Sequence, residues 1–268
     1  MAIVQCGGLY AERVDRAHPA RVYDYLLGGK DNFAVDRAAA EEGLKANPNA
    51  ATAPQQNRAF MRRTVHWLAA EAGIRQFLDI GTGLPTSPNV HEVAQSVDPA
   101  ARIVYVDNDP IVLTHARALL TSAPAGHTAY LDSSLSDVER VLTGAKENLD
   151  LSRPVGLLLF AILHFFEDQA DPYGIVRQLL AALPSGSYLV LSHITADYEP
   201  ERWAGFTAVM RKQGIPTQLR SRDEVARFFD GLDLVDPGVV PILSWQPTEP
   251  TDLTDAQVAL YGGVARKP

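Results

Sequence analysis

Between residues 76 and 193 the chain alternates two textures. Short apolar runs are followed by stretches in which apolar residues recur three and four positions apart. The runs predict strands at 76–80, 102–107, 128–132, 155–160 and 188–193. The periodic stretches predict helices at 89–97, 110–120, 137–147 and 172–183. The run V-G-L-L-L-F at 155–160 has no polar face, so its sheet is covered on both sides. Strand–helix alternation of this kind implies a mostly parallel sheet with right-handed crossovers.

Residues 1–73 read differently, as helices without strands. Pro19 suits the first position of a helix that Gly28 and Gly29 terminate. Asp31 can cap a second helix over 34–46, which Asn47-Pro48 stops. A longer helix starts at Pro54, with Phe60, Val65, Leu68 and Ala72 on one face and Gly73 at its end. After residue 193 the pattern loosens. A helix is predicted over 200–213, another follows the capping box S-R-D-E at Ser221, and strands at 234–242 and 258–265 suit an antiparallel hairpin at the sheet edge. The expected organisation is an N-terminal helical extension or lid (1–73) on an α/β domain (74–268).

Composition narrows the partners. The 268 residues are 46% hydrophobic, enough for one large domain with an extension. A formal net charge of −8 argues against a nucleic-acid surface, which needs clustered Lys and Arg. The single cysteine, Cys6, excludes an internal disulfide framework and argues against a Cys-based zinc site. The N-terminus lacks the basic region of a secretory signal. The longest apolar run, 155–166, is about half a membrane span and contains His164. A cytoplasmic protein without membrane or nucleic-acid partners is expected.

The chemistry concentrates at the predicted strand ends. Asp79-Ile80-Gly81-Thr82-Gly83 ends the first strand in an acid and a Gly-x-Gly turn. Glycines there permit a close backbone approach to a ligand. The dinucleotide fingerprint needs a third glycine, but Thr86 stands there and Pro85 breaks the pattern. An acid before the glycines suits a cofactor with a cationic centre and hydroxyl or ammonium donors, as in S-adenosylmethionine. Asp107-Asn108 ends the second strand, where a carboxylate can accept from ribose hydroxyls. At the third strand end Asp132 or Ser134 can meet an adenine edge, or the serines simply cap the next helix. Past the fourth strand, the small Ala161 can let a cofactor approach.

His164 follows among aromatic residues, as a candidate general base or substrate ligand and equally as a structural histidine; His193 is a similar case. His91-Glu92 lacks the second histidine of a zinc-protease motif, since Gln95 occupies it, so no metal is expected. The cluster Tyr23, Asp24, Gly28, Gly29 and Asn32 suits either a lid or a helix–turn–helix joint. One of Arg58, Arg62 and Arg63 can pair with the cofactor's carboxylate, and Arg58 is the candidate.

The strings R-V-Y-D-Y-L-L-G-G-K-D-N-F, N-R-A-F-M-R-R and F-L-D-I-G-T-G-L-P-T-S-P-N-V-H-E closely resemble methyltransferase family nineteen, formerly a domain of unknown function. So do L-L-F-A-I-L-H-F, S-Y-L-V-L-S-H, R-S-R-D-E-V-A-R-F-F-D-G-L and Y-G-G-V-A-R-K-P, so the resemblance spans nearly the whole chain. It implies a class I methyltransferase (Rossmann-like) fold: a seven-stranded sheet with its last strand antiparallel and helices on both faces. It also implies Asp79, Gly81 and Gly83, with Thr82 between them, near the methionine part of S-adenosylmethionine, and Asp107 on its ribose. One departure stands out. Where the resemblance leads one to expect A-D-L-R-D-P after the third strand, the chain reads S-S-L-S-D-V, with Ser134 in place of the acid at the adenine.

The functional expectation is an S-adenosylmethionine-dependent methyltransferase acting on a small molecule. His164 leads as base, with His193, Tyr23 and Tyr25 behind it, and Tyr10, Phe33, Phe165, Trp203 and Phe206 are candidates for an acceptor pocket. The alternatives are a non-catalytic S-adenosylmethionine- or S-adenosylhomocysteine-binding regulatory protein and, weakened by the missing glycine, an NAD-dependent oxidoreductase. The sequence names neither the acceptor atom nor an oligomeric state.

Overall fold

The computed structural model describes residues 15–268; Cys6 and Tyr10 lie outside them. The first five strands form where the apolar runs lie: β1 (Gln76–Ile80), β2 (Arg102–Asp107), β3 (His127–Asp132), β4 (Gly156–Phe160) and β5 (Tyr188–Ile194). All four pairings among them are parallel, and the sheet order begins β3-β2-β1-β4-β5. The chain winds outward from β1 in one direction and restarts at β4 in the other. This leaves a crevice at the carboxyl ends of β1 and β4, where open α/β sheets take their ligands.

The far edge departs from the predicted hairpin. The expected strand over 234–242 is split into β6 (Asp233–Leu234) and β7 (Val240–Pro241). Between them a turn closes with the Gly238 N–H on the Val235 carbonyl at 2.8 Å, and Gly238 has a φ of 85°. A left-handed residue cannot continue a pleated ladder, so the strand breaks there. Both fragments pair antiparallel with β8 (Leu260–Arg266), which also pairs antiparallel with β5. The last strand is therefore interior, and eight strands fill seven sheet positions.

Side chains alternate across the sheet with the two-residue strand period. Phe77, Ile103, Tyr105, Leu158 and Val190 enter one core; Leu78, Ile80, Val104, Val106, Leu157 and Leu159 enter the other. The first core is covered by α2 (Ala34–Ala46), α3 (Thr52–Ala70), α4 (Val90–Val97) and α8 (Pro200–Lys212). The second is covered by α6 (Val138–Lys146) and α7 (Pro172–Ala181). On α3, Phe60, Val65 and Leu68 are fully buried, each such side chain contributing about 1.5–3 kcal/mol. The core thus runs unbroken across residue 73.

Helix α1 (Pro19–Leu26) docks through charge as well as packing. Arg21 Nε meets Asp36 Oδ2 and Arg21 Nη1 meets Asp109 Oδ2, each at 2.9 Å and all three side chains buried. Asp36 also accepts the Phe33 N–H at 2.9 Å. Asp36, rather than Asp31, therefore fastens the start of α2, and Asp31 lies 3.4 Å from His115 instead. Helix α3 begins at Thr52, directly after a 3₁₀ turn at Pro48–Ala51, not at Pro54. No helix among the described residues is long and apolar enough to cross a membrane.

Candidate functional site

A cleft of about 380 Å³ opens at the carboxyl ends of β1, β2 and β4, under α1 and α3. Strand alternation turns Asp79 to the same side as Phe77, toward α3. The chain then bends sharply: Gly81 and Gly83 have φ values of 76° and 67°, a region that favours glycine. A Cβ on Gly81 would lie 2.7 Å from Ile162, so the β1 turn and the β4 exit touch only because that side chain is missing.

Two carboxylates frame the turn. Asp79 Oδ2 accepts from Thr82 Oγ1 at 2.9 Å. Asp107 Oδ2 accepts the Gly83 N–H, and its Oδ1 accepts the Asp109 N–H, both at 2.9 Å. Burial pushes the Asp79 carboxyl up to about 7 and that of Asp107 up to about 6. Asn108 lines the cleft beside Asp107. Arg58 lines it from α3, its Nη2 donating to the carbonyls of Thr86 and Pro88; burial lowers its pKa, partly opposed by Tyr23 and Asp79.

At the exit of β3, Ser133, Ser134 and Leu135 line the cleft. Asp132 does not: it is exposed and borders adjoining open grooves. At the exit of β4, Ala161 lines the cleft with a φ of 50°, left-handed for a residue that has a Cβ. That conformation costs about 1–2 kcal/mol. It is held by a chain of hydrogen bonds. The Ala161 N–H donates to Ser192 Oγ at 3.0 Å, Ser192 Oγ to Asn57 Oδ1 at 2.6 Å, and Asn57 Nδ2 to the Tyr23 hydroxyl at 2.9 Å. The Tyr23 hydroxyl donates to the Pro54 carbonyl at 3.0 Å, and burial raises its pKa to about 12. Sequence reasoning missed Asn57 and Ser192. Asn57 adjoins the candidate Arg58, but nothing local distinguishes a buried amide from a solvated one.

His164 does not line this cleft. It lines a second pocket of about 80 Å³, together with Phe165, Trp203 and Phe206. The two spaces share Pro19, Tyr23, Asn57, Ala161 and Phe165, so they adjoin. His164 is buried and its Nδ1 has no hydrogen-bond partner. Burial first, then His193 and Arg220, hold its pKa well below the usual histidine range. His193 is a structural histidine. Its Nδ1 faces the Ile194 carbonyl at 2.7 Å and its Nε2 accepts from Arg220 Nη1 at 2.9 Å, which fixes a neutral tautomer; burial lowers its pKa to about 3. The same Arg220 guanidinium binds the carbonyls of Leu163 and Phe166 and the carboxylate of Asp168, clamping the segment that carries His164.

Other candidates fall elsewhere. The Tyr25 hydroxyl donates to Glu41 at an exposed site. Phe33 is at the surface over the Arg21 guanidinium. Arg63 donates to the Trp245 and Ile242 carbonyls, and Arg62 is exposed. Among the described residues no group of three His, Cys, Asp or Glu side chains can hold a metal ion. The cleft therefore presents two acids, backbone N–H groups, hydroxyls and an apolar wall. Its volume is in the range of small-ligand sites, and its acids suit a ligand with cationic and hydroxyl groups.

Comparison with known proteins agrees with this chemistry. The sequence profile of the S-adenosyl methyltransferase family matches residues 11–268. A solved DUF574 family protein from Streptomyces avermitilis MA-4680 is 47% identical, with a TM-score of 0.93 over 95% of this chain and 99% of that one. A solved protein from Thermobifida fusca YX, provisionally named a methyltransferase, is 39% identical, with a TM-score of 0.88 over 95% of this chain and 97% of that one. A methyltransferase structure from Anabaena variabilis ATCC 29413 is only 14% identical, with a TM-score of 0.51 over 75% of this chain and 80% of that one, and shares the fold alone. No curated protein matches the chain significantly. The family match does not favour the non-catalytic alternative, and it gives the NAD reading no support.

Proposed function

The chain belongs to the S-adenosyl methyltransferase family and is an S-adenosylmethionine-dependent methyltransferase; from that premise we propose that it holds the cofactor in the 380 Å³ cleft and methylates a small molecule. The observation that carries this reading is the pair of buried acids, Asp79 and Asp107, on either side of the Gly81–Gly83 turn. Asp107 and Asn108 bind the ribose hydroxyls. Gly81, Thr82 and Gly83 line the methionine part, with Asp79 toward its ammonium group and Arg58 toward its carboxylate. Ser134, rather than the more remote Asp132, meets the adenine. Ala161 gives the reacting end room to approach.

Bound there, the cofactor supplies an electrophilic methyl group on a sulfonium. The protein's part is to place the acceptor and exclude water, since placement supplies much of the catalysis in such a displacement. Residues 15–73 act as the helical extension over the methyltransferase domain, 74–268, and α1, with its N-cap His18, covers the cleft through Pro19 and Tyr23. Tyr23 is tied at its hydroxyl to Asn57 and Pro54, so it shapes the passage between the two pockets rather than exchanging protons. His164, held neutral, serves as a hydrogen-bonding partner of the acceptor and a weak base.

Calorimetric titration with S-adenosylmethionine and S-adenosylhomocysteine tests the cofactor assignment. Wild type is expected to bind both, and Asp107→Ala to weaken binding about 10- to 100-fold, the value of hydrogen bonds to a charged group. Equal binding by the variant would overturn the ribose assignment. Labelled methyl transfer into the low-molecular-weight fraction of a cell extract, rather than into its protein or nucleic acid, tests the acceptor class.

A further inference from the structure

The second pocket has walls unlike those of the cleft. Its lining comes from α1, α3, α8 and the start of β8, from the end of β5, and from the segments after β4 and α8. None of its lining residues is Asp, Glu, Lys or Arg. Trp203, Phe206 and Phe165 give it an aromatic side within an otherwise mostly aliphatic lining. Most of its polar groups are already engaged: Tyr23 and Asn57 belong to the Ser192 chain, and Thr217 Oγ1 donates to the Ile215 carbonyl at 3.3 Å. Two are not. His164 Nδ1 and Trp203 Nε1 are buried without a hydrogen-bond partner, and both side chains line this pocket. Orphaned buried polar atoms beside an apolar space are rare, because each carries an unrelieved desolvation cost.

We infer that this pocket, which adjoins the cleft through Tyr23, Asn57, Ala161 and Phe165, is the acceptor site, and that it takes an uncharged single-ring aromatic or heteroaromatic molecule bearing a hydrogen-bonding substituent. The inference rests on the cofactor reading of the larger cleft. The volume, about 80 Å³, sets one ring as the upper size, and the opening toward the cleft supplies the remaining room. Aromatic walls favour a flat apolar guest by edge and face contacts. A carboxylate or ammonium on that ring would enter without a counter-charge, a cost that excludes it. A hydroxyl or amide on the ring, by contrast, gives His164 Nδ1 and Trp203 Nε1 the partners they lack once these buried side chains turn toward it. Trp203 Nε1–H can only donate, whereas a neutral imidazole can donate or accept, so the substituent must offer at least an acceptor.

The test uses phenol as the neutral probe and benzoate as the charged one. Binding is followed by ligand-observed NMR on the full chain, with and without S-adenosylhomocysteine. Wild type is expected to bind phenol, and benzoate at least about tenfold more weakly, since an unpaired buried charge costs several-fold more than a neutral group. Ala53→Leu fills the pocket from α3 and should abolish phenol binding while leaving S-adenosylhomocysteine binding unchanged, which also reports that the variant is folded. His164→Leu, which keeps the pocket apolar, should weaken phenol about tenfold, the value of one hydrogen bond. Equal affinity for benzoate, phenol binding that survives Ala53→Leu, or no phenol binding by wild type would each overturn the proposal. Failure of wild type to bind S-adenosylhomocysteine would count against the cofactor reading, and the phenol titration without the nucleoside would still decide the pocket.

Discussion

Arg21 on α1 and Asp109 at the head of α5 (Pro110–Leu119) form an ion pair at 2.9 Å with both side chains about 98% buried or more. Asp109 does two further things. Its carboxylate caps α5 through the Ile111 N–H, and its own N–H donates to Asp107. The N-terminal helix and the acid assigned to the ribose therefore share one buried network.

Removing Arg21 should damage both. Arg21→Met keeps the aliphatic stem and removes the guanidinium that the carboxylates of Asp36 and Asp109 share. Breaking one side of a buried ionic cluster costs about 3–5 kcal/mol. Chemical denaturation should find a loss of that size, and calorimetry a weaker S-adenosylhomocysteine affinity.

Cofactor affinity should rise with pH. The folded, unliganded protein holds Asp79 at about 7 and Asp107 at about 6, above the unfolded carboxylate value. For these two groups, stability is present below the unfolded value and is lost as pH rises through 6 to 7. A cationic, hydroxyl-bearing ligand prefers both ionised. S-Adenosylmethionine should therefore bind more tightly at pH 8 than at pH 5.5, with protons released on binding. Calorimetry in buffers of different ionisation enthalpy measures that release, and Asp79→Asn should reduce it.

His164 and His193 should be silent to titration over the same range. Burial holds both well below the ordinary histidine value, His193 at about 3. A depressed histidine stabilises the fold above its unfolded pKa near 6.5 and withdraws that stability as pH falls. Their imidazole NMR shifts should stay constant from pH 8 to pH 5, and an acid limb of activity in that window should not belong to His164.

The left-handed Ala161 should tolerate only the smaller neighbour. Ala161→Gly relieves the strained φ of 50° and loosens the unfolded chain, opposing effects of about 1 kcal/mol each. Ala161→Val places a branched Cβ in that conformation and in the passage between the two pockets. It should destabilise by more than about 1–2 kcal/mol and weaken S-adenosylhomocysteine. Thermal unfolding with and without the nucleoside separates the two losses.

Ser134 and Asp132 make different predictions at the adenine end. Ser134 lines the cleft and Asp132 does not. Ser134→Asp, restoring an acid where the family resemblance leads one to expect it, should tighten S-adenosylhomocysteine by up to about tenfold, the value of one charge-assisted hydrogen bond. Asp132→Ala should change it little. Paired titrations decide between them.

The strand ends were legible in the sequence because each is a local event. An apolar run of five or six residues finishing in Asp or Asp-Asn fixes both the strand and the side chain at its edge, as at Asp79 and Asp107. The glycine turn carries its own signature. What was not legible depends on distant partners. Ser192 and Asn57 meet at 2.6 Å across 135 positions, and Arg220 reaches 27 positions back to His193. Neither pairing leaves a periodicity. The strand expected over 234–242 splits at Pro237-Gly238, where the left-handed Gly238 interrupts a mostly apolar run. The second pocket has no linear signature, since α1, α3 and α8 build it jointly.

The interior place of β8 bears on when the molecule's parts come into being. Leu260, at the first position of that strand, and Trp203 on α8 close the smaller pocket against Val22 and Pro54. Residues from the early and late parts of the chain must therefore meet across a sheet whose penultimate position is empty until β8 arrives. Contacts of such long sequence separation form late, because the loop they close must be ordered first. A nascent chain that has emerged only through β5 can already possess the β1, β2 and β4 ends that frame the larger cleft. It lacks the walls of the second pocket, where we propose that the acceptor binds. The two pockets are in this sense of different ages, and the younger one is made only by the finished fold.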